Sequence, residues 1–321
     1  MTRPSSVPPP VTAVLDASSR WLPARLGEVE ELLRESIAGH GELLQEDAAA
    51  TLDAGGKRLR PMLVLLCAGP ESSAKALRAA AAIELVHMAT LVHDDVLDDA
   101  PLRRGLPTVA ATSGRRRATS TGDLLFSRAF ALLADVDDAR AVALLADASV
   151  ALARGELVQR RDAFDLSITE ERYLERCRLK TARLFECACL LGSGEERLRE
   201  FGAGIGLAFQ LLDDVLDVSG PPERTGKARG TDLLDGTITL PLIEAAESDP
   251  AIREVDLQAL DTAAAEALCI RIEATGALQR VRVKALDLVA EAKQALARAD
   301  FAPEQRQLLA LVADGVVQRY S

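Results

Sequence analysis

The chain has 321 residues, of which 48% are hydrophobic, enough for one large core or two smaller ones. Leucine and alanine prevail, and one tryptophan, two tyrosines and seven phenylalanines are its aromatics, a composition that favours helix over sheet. A formal net charge of -11 excludes a basic nucleic-acid footprint, and no uninterrupted apolar run approaches the ~18 residues of a membrane span.

The N-terminus through Pro10 is rich in proline and serine and lacks an apolar signal-peptide core, so residues 1–20 are expected to form a loose tail before one domain over 21–321. From residue 22 to 54 apolar side chains recur at three and four, as at Leu22, Leu26, Val29, Leu33 and Ile37. That spacing predicts one amphipathic helix stopped by Gly55-Gly56. A second helix is predicted near Pro61 and a third from Ala76 to Asp98. Pro101, Gly105 and Pro107 then break the pattern, giving a loop that carries Arg103 and Arg104. Helical spacing resumes over 121–133, 139–157, 170–191 and 198–218. A loop rich in glycine and proline covers 219–236, and further helices start at Pro241, near Leu257, at Thr275 and at Pro303. No alternating strand pattern interrupts them, so the expected fold class is all-α, a single-domain helical bundle. Cys67, Cys177, Cys187, Cys189 and Cys269 form no CxxC pair and read as buried, reduced thiols of a cytoplasmic protein.

Two acidic clusters stand out, Asp94-Asp95-Val96-Leu97-Asp98 and Asp213-Asp214-Val215-Leu216-Asp217, flanked by His87, His93 and Gln210. On a helix, residues four apart share a face, which pairs Asp94 with Asp98 and Asp213 with Asp217. Like charges at that spacing destabilise a helix by a few tenths of a kcal/mol, a cost accepted twice. A single cluster fits either a solvated helix face or a cation site. All-oxygen donors of this kind suit Mg²⁺ held together with substrate phosphates.

Positive groups occupy glycine-framed turns. Gly55-Gly56-Lys57-Arg58-Leu59-Arg60-Pro61 fits an anion site at a helix start, or a charged cap followed by an early-helix proline. Arg103-Arg104-Gly105 follows the first acidic cluster, and guanidinium forks suit phosphate. Six lysines serve the whole chain, and Lys57, Lys180 and Lys227 each adjoin a glycine or a small polar residue such as Thr181. Arg115-Arg116-Arg117 has no aspartate partner in its sequence neighbourhood and reads as a solvated helix start.

With these motifs in order, joined by Gly122-Asp123, Gly155-Glu156, Lys180-Thr181, Gln210-Leu211-Leu212-Asp213-Asp214 and Gly226-Lys227 through Asp232-Leu233, the chain resembles the trans-isoprenyl diphosphate synthases (polyprenyl synthetases) of medium or long chain type from about Leu22 to its end. The resemblance implies an isoprenoid synthase fold around a deep central cavity, a homodimer, and the two acidic motifs on opposing walls. It implies that Asp94, Asp98 and Asp213 bind three Mg²⁺ ions, supported by Asp95, Asp214 and Asp217. The ions, with Arg103, Lys180 and Lys227, then hold the diphosphate of an allylic substrate. Gly56, Lys57, Arg60, His87 and Arg104 hold isopentenyl diphosphate, and dipoles at Lys180, Thr181 and Gln210 face the carbocation. Two departures appear. Thr237 stands where short-chain members place a lysine, and 113–117 lacks the usual glycine-asparagine pair.

The product tail is expected to run beneath the first motif, where Ala89, Thr90 and Val86 form the floor. Small side chains there imply a polyprenyl diphosphate longer than farnesyl. Closure by Phe126 or Phe130 instead implies geranylgeranyl diphosphate. A terpene cyclase has no use for Lys57, Arg60 and Arg104, and a non-catalytic subunit of a heteromeric prenyl synthase typically lacks one acidic motif. Ala89→Phe is expected to shorten the product distribution measured by mass; an unchanged distribution removes Ala89 from the channel.

Overall fold

The computed structural model describes residues 9–19, 21–103, 105–220 and 229–318. Helices α1 (Pro9–Ala17), α2 (Trp21–Ile37), α3 (Glu42–Asp53), α4 (Leu59–Ala68) and α5 (Ala74–Leu97) lead to a hairpin of β1 (Leu102–Arg103) and β2 (Leu106–Pro107). There follow α6 (Val109–Ser113), α7 (Arg115–Ala134), α8 (Ala139–Arg161), α9 (Glu170–Cys177), a π-helical turn at Arg178–Ala182, α10 (Arg183–Ser193) and α11 (Leu198–Ser219). The remainder is α12 (Thr231–Leu234), α13 (Leu240–Ser248), 3₁₀ turns at Pro250–Ile252 and Leu257–Ala259, α14 (Thr262–Ala274), α15 (Ala277–Ala297) and α16 (Pro303–Gln318).

The chain divides into two compact units. One comprises Met1–Ser149, Cys187–Arg199 and Ala299–Val312; the other comprises Val150–Glu186, Glu200–Arg298 and Ala313–Ser321. In the first, α5 is the core. Its run Ala79, Ala80, Ala81, Ala82, Ile83, Leu85 and Val86 is buried on all sides, and α2, α4 and α7 pack against it. Alanine keeps neighbouring backbones close, and a helix apolar all round belongs inside. By length and composition alone α5 also passes for a membrane span, with 67% of that window buried in the protein. In the second unit α13 packs on α14 and α15, and α9 packs on α13.

Three expectations need correction. The single helix over 22–54 is two, because Gly39 and Gly41 adopt φ of 77° and 87°, left-handed values that stop α2 and start α3. The N-terminal segment read as a tail contains α1, whose Val14 is buried, and just after it the Ser18 hydroxyl donates to the Leu15 carbonyl. Third, the helix expected near Leu257 is a 3₁₀ turn there and starts as α14 only at Thr262, where Asp261 caps it by accepting from the Ala264 amide at 2.8 Å. The hairpin's strands are too short to show alternation.

Phe201 and Phe185 are fully buried in the second unit, Phe185 tilted against Phe209 with centroids 5.7 Å apart. Phe201→Ala is expected to destabilise the protein by about 3–5 kcal/mol through the cavity it leaves, read as a lower denaturant midpoint.

Candidate active site

In the first unit the acidic motif occupies the carboxyl end of α5. Asp94 lies in the last turn, and Asp98 caps it, its amide donating to the Asp94 carbonyl at 2.8 Å. Asp98 is exposed and Asp94 half-buried, while Asp95 between them is buried. Arg103 Nε donates to Asp95 Oδ1 at 2.7 Å. The hairpin register, Arg103 opposite Leu106 around Gly105, turns the arginine back toward α5. Arg104 lies outside the described residues.

The same unit holds the Gly55-Gly56-Lys57 turn between α3 and α4. Arg58 adopts φ 46° and ψ 36° at the start of α4, and its guanidinium ties three helices together. It donates to Glu30 of α2, to Glu84 of α5 at 2.8 Å, and to the carbonyl of Leu52 in α3 at 3.2 Å. Burial opposes the Arg58 charge, but Glu30 and Glu84 outweigh it and raise its pKa. Arg60, in the first turn of α4, is pushed down to about 10 by burial, against the pull of Glu84. A cavity of about 270 Å³ is lined by Gly55, Arg58, Glu84, His87, Asp95 and Arg103, among others. Here the structure joins the glycine turn to His87 and to the first acidic motif. Gly56 is exposed, and Lys57 is half-buried beside the turn.

His93 stacks on Phe126 of α7 with centroids 5.8 Å apart, and its Nε2 lies 3.4 Å from Asp123. A Cβ on Gly122 would fall 2.2 Å from that ring nitrogen, so only glycine admits the imidazole. Val86 and Ala89 are fully buried, and the Thr90 hydroxyl donates to the His87 carbonyl at 2.7 Å. The arginine run opening α7 is not partnerless as its sequence suggested. Arg115 pairs with Asp99, and Arg117 pairs with buried Asp47 at 2.8 Å, aspartates brought in by the fold.

In the second unit the other acidic motif occupies the last two turns of α11 and divides in the same way. Asp213 is exposed, Asp217 half-buried and Asp214 buried. Asp214 Oδ2 accepts from the Tyr173 hydroxyl at 2.6 Å and Oδ1 from Gln210 Nε2 at 2.8 Å. Burial and the charge of Asp232 push its carboxyl up to about 7, against Tyr173, Gln210 and Arg176. Asp217 Oδ2 accepts from the Asp232 amide at 3.2 Å, anchoring the start of α12.

The π-helical turn, closed by the Arg183 amide on the Arg178 carbonyl, carries Lys180 and Thr181. Lys180 pairs with Glu156 of α8, and Thr181 donates to Gln210 Oε1 at 2.7 Å. Burial acts to raise the Glu156 carboxyl, yet Lys180 and Arg160 hold it below its ordinary value. A Cβ on Gly155 would meet the Lys180 nitrogen at 2.7 Å, so glycine lets α8 approach this turn. Lys227 lies outside the described residues.

Sequence reasoning did not single out Glu30, Glu84 or Tyr173 as parts of the site. The signal for Glu84 was an acid set in the apolar, alanine-rich stretch from Ala79 to Val86. No three described carboxylate, imidazole or thiol groups converge tightly enough to enclose a metal by themselves. The outer aspartates offer oxygen donors on one helix face and at the negative end of a helix dipole. That donor set fits Mg²⁺, which keeps most of its coordination for water and phosphate.

Residues 41–271 match the family described as Polyprenyl synthetase. The chain is 39% identical to heptaprenyl diphosphate synthase component 2 of Geobacillus stearothermophilus, over 83% of this chain and 87% of that protein. It is 36% identical to the all-trans-nonaprenyl-diphosphate synthase (geranyl-diphosphate specific) of Rhodobacter capsulatus, over 88% and 91%. Its structure superposes on a decaprenyl diphosphate synthase from Rhodobacter capsulatus with a TM-score of 0.88 at 34% identity, covering 97% of this chain and 99% of the other.

Glu84 is buried against Arg58, so Arg58→Ala is expected to strand a carboxylate and cost about 3–5 kcal/mol in chemical denaturation. Adding Glu84→Ala is expected to recover part of that loss.

Proposed function

Because the chain belongs to the polyprenyl synthetase family and is a prenyltransferase, we propose that it condenses isopentenyl diphosphate with an allylic diphosphate, using Mg²⁺, to give an all-trans polyprenyl diphosphate longer than farnesyl. The observation that carries this reading is the repeated division within the two acidic motifs. In each, the middle aspartate is buried on protein donors, while an outer one, Asp98 or Asp213, is exposed at a helix carboxyl end.

Asp94, Asp98 and Asp213 would hold the metal ions, and Asp95, Asp214 and Asp217 brace the helix ends. When bound there, Mg²⁺ would supply positive charge to offset the negative charge that grows on the diphosphate oxygens as the allylic C–O bond breaks. Arg103, Lys180 and Lys227 bind the same leaving group. They supply fixed positive charge where the transition state needs it. Gly56, Lys57, Arg60, His87 and Arg104 bind isopentenyl diphosphate, whose double bond attacks the allylic carbon. A carbon–carbon bond forms, and the resulting cation loses a proton to the departed diphosphate. Thr181 and Gln210 present dipoles to the allylic cation, and apolar walls exclude water.

Small Ala89 and Val86 support a product beyond farnesyl, as do the heptaprenyl, nonaprenyl and decaprenyl relatives. Five free, buried cysteines support a reducing, cytoplasmic setting. A homodimer accords with the family resemblance.

Incubation with Mg²⁺, isopentenyl diphosphate and farnesyl diphosphate is expected to give products longer than geranylgeranyl after dephosphorylation. A single geranylgeranyl product would overturn the chain-length reading. Asp94→Ala and Asp213→Ala are each expected to lower incorporation by about 10²-fold or more with unchanged circular dichroism. Full activity in either variant would remove that residue from the site.

A further inference from the structure

Thr181 has one hydroxyl proton, and the structure commits it to Gln210 Oε1 at 2.7 Å. The amide of Gln210 turns its nitrogen the other way, to Asp214 Oδ1 at 2.8 Å. The second oxygen of the same carboxylate accepts from the Tyr173 hydroxyl at 2.6 Å. These links form one chain, Tyr173 to Asp214 to Gln210 to Thr181: the tyrosine hydroxyl and the amide nitrogen both donate to the Asp214 carboxyl oxygens, and the amide oxygen is left to accept from Thr181. Thr181 then has only lone pairs to offer a further group.

Tyr173 is fully buried, and its ring lies 5.2 Å beneath the Arg176 guanidinium. The ring fills the core, while the hydroxyl holds one end of the chain. Without it, one buried oxygen of Asp214 loses its donor. The carboxylate turns to recover a partner, and the amide that it orients turns too. A hydroxyl that presents its oxygen stabilises a nearby cation, whereas one that presents its proton opposes it.

We propose that Tyr173 is a positioning residue for prenyl transfer: through Asp214 and Gln210 its hydroxyl fixes Thr181 with the oxygen lone pairs toward the allylic cation. This rests on the prenyl-transfer reading above. It adds a residue about eight positions upstream of Thr181 whose side chain acts without touching the substrate.

The test is a double-mutant cycle on the single-turnover rate of the first condensation, with farnesyl and isopentenyl diphosphates and Mg²⁺. Tyr173→Phe is expected to slow that step about tenfold with the KM for isopentenyl diphosphate unchanged. Thr181→Val is expected to slow it further, and the double variant to be no slower than Thr181→Val alone, since members of one network do not add. Additive losses, or a raised KM with an unchanged rate, would overturn the proposal. Should Tyr173→Phe not fold, uniform 3-fluorotyrosine labelling alters the hydroxyls of the two tyrosines, Tyr173 and Tyr320, without removing them. It is expected to change the rate of the otherwise unmodified enzyme and not that of Thr181→Val; no change in either overturns the proposal. An unmodified protein with no incorporation would instead remove the prenyl-transfer reading, and the proposal with it.

Discussion

Negative charge gathered at the carboxyl ends of two helices is the constraint around which the rest is organised. The last carbonyls of α5 and α11 already make those ends negative, and each carries three aspartates. Such an arrangement persists only with compensation. The protein supplies part of it: Arg103 to Asp95, Tyr173 and Gln210 to Asp214, and the Asp232 amide to Asp217. Burying the middle aspartate fixes the helix end, and Asp98 and Asp213 are left exposed.

The positive groups follow a matching logic. Arg103 rests on Asp95 and Lys180 on Glu156, so each cation is held in place by a carboxylate. Groups oriented in this way lose less entropy on binding an anion than free side chains do. Arg58 takes a different part. Its fork is shared among Glu30, Glu84 and the Leu52 carbonyl, making it a strap for the turn that bears Lys57.

Much of the candidate site's layout within each unit was legible because its signals are local. Four-residue spacing put Asp94 with Asp98 and Asp213 with Asp217, and glycines marked the turn before α4. The break between α2 and α3 was hidden because apolar residues keep helical spacing across Gly39 and Gly41. Partners far apart in sequence were also hidden: Arg117 meets Asp47 across 70 residues, and Tyr173 meets Asp214 across 41. A single sequence shows that such side chains are polar; only the fold shows what they face. The hairpin and α12, of four residues, are too short to establish a period.

The π-helical turn at Arg178–Ala182 fixes the length of chain that can join α9 to α10 in phase. A π-turn is an α-helix carrying one surplus residue, and each residue advances a helix by about 100°. Losing one position there would restore regular α-helical bonding while rotating Thr181 away from the phase set by α9.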